Sequence, residues 1–239
     1  MIGFQAEPLS ETGQRIVRAA ADLLAKGGRD AVSTRSVSAA AGVQAPTIYR
    51  LFGDMRGLLD AVMSYGFAGY LEAKTSRERA ADPVEDLRRG WDLHVGFGVA
   101  NPALYSLMYG DPHPGTTPTA AKRAAEVLDG LVHRVAQAGR LRVDESRAAQ
   151  IIHAAGCGVT LTLIATPPES RDPAVSELTR EAVLAAVTTD AAPSITEQSV
   201  LVTAAASLKA GLNGSSVPLN GPERALLGDW LDRITRAEG

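Results

Sequence analysis

The stretch AAGVQAPTIYRLFGD, residues 40–54, decides how the chain is read. Small residues precede a glycine, a polar run containing Pro46 follows, and Tyr49 and Phe52 close the segment. Gly42 permits the positive φ of a tight turn. Pro46 is admissible in the first turn of a helix, where the N–H has no intrahelical partner. The stretch therefore predicts a helix that stops at Gly42 and another that starts near Ala45. Together they have the size of a helix-turn-helix, a device whose second helix enters the major groove of DNA end-on.

Working outward, residues 11–26 place Ile16, Ala20, Leu23 and Leu24 on one helical face, with Ser10 as the cap and Gly27 and Gly28 as the stop. The short helix after Ser33 and Thr34 should turn Val37, Ala40 and Ala41 inward, with Val43 plugging the turn. Asp54 then caps a long fourth helix, to about Arg77, that carries Leu58, Leu59, Val62, Met63, Phe67 and Leu71 at core spacing. Beyond Pro83 the Pro and Gly punctuation predicts helices near 83–100, 102–110, 117–139, 144–166, 173–189, 195–211 and 222–236. No stretch alternates as a strand would. The expected fold is all-α: a three-helix head over 1–56, joined by the fourth helix to a larger helical domain over 57–239 that ends in an extra hairpin at about 192–239.

Composition narrows the function classes. The chain has 239 residues, a net charge of −3 and a single cysteine, Cys157, so neither a global basic field nor a disulfide framework organises it. Residues 11–56 differ: seven cations stand against four carboxylates, a local +3. The start shows no basic, apolar leader, and the apolar run 154–165 is too short to span a bilayer. A soluble cytoplasmic protein with no membrane partner is expected. His94, His113, His133 and His153 form no metal-ligand pair, no phosphate loop or nucleophile elbow is present, and no cofactor, metal or catalytic residue is expected.

The segment STRSVSAAAGVQAPTIYRLFGDMRGLLDAV, residues 33–62, resembles the DNA-binding head of the TetR family of transcriptional regulators, and the likeness extends over roughly residues 10 to 65. The segment from Trp91 to Asp111 looks like the start of a ligand-binding domain found in one branch of that family. The resemblance implies that Gln44, Ala45, Pro46 and Thr47 face bases or the groove wall, that Thr34 and Tyr49 meet phosphates, and that Arg50 lies beside the backbone. Many relatives carry Lys where Ala45 stands, His at Leu51 and Lys at Met55. Arg35 and Arg56 complete the candidate DNA-contacting set, Arg56 standing in for the missing lysine. The chemistry agrees, since hydroxyls donate to phosphate oxygens and glutamine pairs with adenine.

A single recognition helix reads few base pairs, so a homodimer on a palindromic operator is expected. Residues 144–166 and 173–187 are the candidate dimer helices; burial inside one protomer is the other reading. Trp91, His94, Phe97, Tyr105, Met108, Tyr109, His133 and Cys157 are candidates for binding an unknown small-molecule effector, although such side chains also make ordinary core. The resulting expectation is a ligand-responsive repressor. A regulator that binds DNA weakly and acts through a protein partner is the second reading, and a helical small-molecule-binding enzyme the third.

Overall fold

Local signals start and stop each helix of the head. In the computed structural model, which describes residues 9–75, 79–111, 115–189, 197–214 and 218–236, Ser10 Oγ accepts the Gly13 N–H (3.2 Å) to open α1, Glu11–Gly27. Ser33 and Ser36 form a reciprocal capping box at the start of α2, Thr34–Ala41, and Ser36 Oγ also donates to the Ala31 carbonyl (2.8 Å). Gly42 ends α2 at φ 63° and ψ 40°, the left-handed conformation the turn requires. Helix α3, Ala45–Phe52, follows, and Asp54 Oδ1 caps α4, Met55–Thr75, through the Gly57 N–H (2.7 Å).

The remaining helices are α5 (Pro83–Ala100), α6 (Pro102–Tyr109), α7 (Thr119–Gln137), α8 (Glu145–Ala165), α9 (Pro173–Val187), α10 (Glu197–Gly214) and α11 (Gly221–Arg236). The fold is all-α, a helix-turn-helix head followed by a larger helical part, as the punctuation predicts. The expected end of α4 near Arg77, the side chain of Leu71, the loop at His113 and the break at 192–193 lie outside the described residues.

The chain divides into two compact units, one of Met1–Ser76 with Ala100–Lys122, the other of Arg77–Val99 with Arg123–Gly239. In the first, Ile16, Val17, Ala20, Val37, Ile48, Leu58 and Val62 make the dry centre of α1 to α4. Ala40, expected inward, is exposed, because Val37 and Ala41 take the inward face at i, i+4 and Ala40, one residue before Ala41, is rotated about 100° off it onto the flank. Val43 is half-buried at the turn. Helix α6 closes on α4 at Gly66, where an added Cβ would stand 2.6 Å from Leu104 Cδ2. Asp60 on α4 accepts from both the backbone N–H (2.8 Å) and the hydroxyl (2.6 Å) of Thr119.

In the second unit, Val84, Leu87, Trp91, Val132, Val135, Ile152, Leu184 and Val187 belong to one core. Trp91 Nε1 donates to Ser176 Oγ (3.0 Å), tying α5 to α9. An antiparallel bridge between Leu141 and Thr188 fastens the end of α9 to the segment after α7. The apolar run read at 154–165 extends into the 21-residue α8, which by length and composition alone could cross a membrane. In the fold it packs against α9 through one face and leaves Ile151, Ala154, Gly158 and Thr162 exposed. Helices α10 and α11 form a hairpin around Ala205, Leu212 and Leu231, pinned by the Lys209–Asp232 pair and by Arg224 donating to the Leu212 carbonyl (2.6 Å).

Candidate nucleic-acid interface

The three helices of the head leave one end of α3 open. Gln44 is its N-cap residue at φ −83° and ψ 146°, and its side chain makes no capping hydrogen bond, so the exposed amide is not spent on the helix. Pro46 is exposed in the first turn, while Ala45 and Thr47 are half-buried beside it. Ile48, one residue on, is fully buried and holds this end against the core. The free N–H groups of a helix start and its dipole favour an anion there.

Around that tip stand hydroxyls and cations. Tyr49, 47% exposed, has its Oη 3.1 Å from Thr34 Oγ1, so α2 and α3 present a joined pair of hydroxyls. Each keeps capacity for a further hydrogen bond. Arg35, Arg50 and Arg56 are exposed. Arg15 donates to the Ala41 carbonyl (3.1 Å) and Arg29 to the Val32 carbonyl (3.0 Å), contacts that leave their charge uncompensated. Among the described residues none of the seven cations between residues 11 and 56 pairs with a carboxylate. In the second unit Arg88, Arg134, Arg140, Arg147, Arg180 and Lys209 all do. The head's positive charge is thus available to an external polyanion.

Residues 16–62 match the family model of bacterial regulatory proteins, tetR family. The N-terminal head belongs to the TetR family. Solved structures extend the likeness beyond this TetR head. The Bacillus subtilis transcriptional regulator FadR, in complex with stearoyl-CoA, is 19% identical at a TM-score of 0.60, over 72% of this chain and 98% of its own. A Rhodococcus sp. RHA1 protein of unknown function is 22% identical at 0.62, over 77% and 100%. A TetR-family regulator from Streptomyces coelicolor is 24% identical at 0.55, over 74% and 97%. About a quarter of this chain has no counterpart in these three. A comparison with curated protein sequences gives no match. The chain has the fold of a TetR-family transcriptional regulator.

The effector candidates fall into both units. Tyr105 and Met108 are buried and Tyr109 half-buried on α6 in the first unit, where the Tyr105 and Tyr109 rings lie 4.8 Å apart. Trp91, His94, Phe97, His133 and Cys157 are in the second. Trp91 and His94 both approach the bare backbone of Gly156, Trp91 is 4% exposed, and its N–H is taken by Ser176. His133 Nδ1 lies 3.1 Å from Glu145 Oε2 on the next helix. Cys157 Sγ lies 3.7 Å from His153 Nε2, and burial holds that imidazole below its ordinary pKa. Sequence reading missed Glu145, because the 12 residues from His133 to Glu145 cross a helix-to-helix turn and no local spacing signals the pairing; it also left His153 out of the effector set, although His153 stands one helical turn before Cys157.

Proposed function

We propose that the protein is a homodimeric, ligand-responsive transcriptional repressor of the cytoplasm that binds a palindromic operator. The observation that carries this reading is the open α3 tip: an uncommitted Gln44 amide beside the Thr34–Tyr49 hydroxyl pair, amid cations without carboxylate partners. In this reading Gln44, Ala45, Pro46 and Thr47 meet the bases and groove wall. Thr34, Arg35, Tyr49, Arg50 and Arg56 hold the phosphates. A good bidentate base contact is worth ~1–3 kcal/mol of discrimination, whereas phosphate contacts set register for every sequence alike. The exposed faces of α8 and α9, with Ile151, Val175 and Leu178, supply the surface on which a second copy would pack. The stearoyl-CoA held by the Bacillus subtilis neighbour supports a small-molecule effector here as well, without naming it.

Selection from random duplexes at moderate salt tests this. Wild type is expected to enrich a palindrome, Tyr49→Phe to weaken binding to all sequences, and Gln44→Ala to relax one position in each half-site. No enrichment even at low salt would overturn the DNA-binding reading. The departures at Ala45, Leu51 and Met55, with Leu51 36% exposed on α3, favour a second reading in which DNA binding is weak and a protein partner assists. A steep fall of affinity with salt decides against it, because each phosphate neutralised contributes about 0.9 to the logarithmic slope.

A further inference from the structure

A groove of about 420 Å³ runs between α7 and α8, wholly within the second unit. Its size falls within the range of small-molecule clefts. Val132 and Ala149 are buried at its floor and Leu128 is half-buried on its wall, which gives an apolar bed. Asp129 and Glu145 line it from the two helices, and among the described residues no lysine or arginine does. Asp129 has no ion pair among the described residues, and Glu145 offers Oε1 while Oε2 meets His133. The core behind this groove is filled by Trp91 and its neighbours, so a ligand here would lie against the outer side of α7 and α8.

An apolar bed flanked by two carboxylates and no cation selects its guest by charge. An anion such as an acyl-CoA or a fatty acid would bring negative charge beside Asp129 and Glu145. A neutral guest would leave both carboxylates to water and gain only from the bed. A compact cation with an apolar body satisfies both surfaces: its body covers Leu128, Val132 and Ala149 while its charge faces the two carboxylates. Burial holds the imidazole of His153, which also lines the groove, below its ordinary pKa.

We infer that the α7–α8 groove is a binding site for small organic monocations with an apolar body. This deepens the ligand-responsive reading by naming the chemistry of an effector, and it rests on that reading only for the regulatory consequence. The probes are tetraphenylphosphonium and tetraphenylborate, nearly identical in shape and opposite in charge, titrated calorimetrically into the full-length protein without DNA. The phosphonium is expected to bind, the borate not to bind, and the Asp129→Asn/Glu145→Gln double variant to weaken the phosphonium about tenfold. Ala125→Trp, at an exposed position on the groove wall, should abolish binding while leaving the unfolding transition in place. Absence of phosphonium binding, equal binding of the borate, or affinity untouched in both variants would overturn the site. Operator affinity with and without phosphonium is read separately. A site that binds without changing operator affinity stands as a site and loses its role as effector site, while failed duplex selection leaves the calorimetry unaffected.

Discussion

Gly42 shows how one backbone angle supports the interface. Its φ of 63° aims α3 out of α2, and an added Cβ would meet nothing within 4 Å, so replacement is opposed by backbone conformation alone. Gly42→Ala is therefore expected to destabilise the protein by about 1 kcal/mol, seen as a lower urea midpoint at unchanged slope. An unchanged midpoint would show that the turn relaxes to another conformation. This residue was legible because a turn between two short helices needs a left-handed position and glycine fills it cheaply. Gly66 was not: the close pass of Leu104 that makes it necessary comes from a helix nearly forty residues later.

At the scale of elements, α5 and α9 are clipped by charge. Arg88 Nε lies 3.1 Å from both Glu181 oxygens, and Arg180 reaches Glu181 (2.8 Å) and Asp92 (2.5 Å). The hydrogen bonds from Arg88, assisted by Arg180, hold the Glu181 carboxyl below the usual range against a smaller opposing effect of burial. A carboxyl depressed in the folded state adds stability that is complete above its unfolded value of about 4.3 and disappears as pH falls through the folded value. Urea midpoints should thus be flat from pH 7 to about 5 in this respect and fall below about 4. Glu181→Gln should make that acid fall shallower; the same slope in wild type and variant would mean the clip adds nothing, as is common for exposed pairs. Helix existence and order were readable from period and punctuation, because capping is decided within four residues. Ala40 went the other way, since an eight-residue helix of small side chains carries too weak a stripe to fix its rotation.

For the whole molecule, the exposed α8–α9 face argues for assembly. Leu178 is 70% exposed, Val175 41% and Ile151 37%, and the exposed Ala154, Gly158 and Thr162 of α8 and Ala182 and Ala185 of α9 are small enough to permit close helix approach. Leu178→Glu is expected to convert a dimer to a monomer in sedimentation and, with the two heads uncoupled, to lower affinity for a palindrome far more than for a half-site. A variant that sediments as wild type would move the interface elsewhere, the exposed Leu226, Trp230 and Ile234 stripe of α11 being the next surface to test. If a ligand weakens DNA binding in that dimer, DNA must weaken ligand binding by the same factor.

The all-α class, the helix-turn-helix, the caps at Ser10, Ser33 and Asp54 and the basic bias of the head follow from residues within a turn or two of one another. Short-range physical chemistry is sufficient for them, and a reader of the chain alone arrives at the same elements. Which unit each effector candidate joins, the burial of Trp91 against Ser176, the meeting of His133 with Glu145 and the groove beside them depend on helices far apart in the chain. Those features arise when apolar faces from distant segments exclude water together, and the polar groups on their rims take whatever neighbours that packing provides.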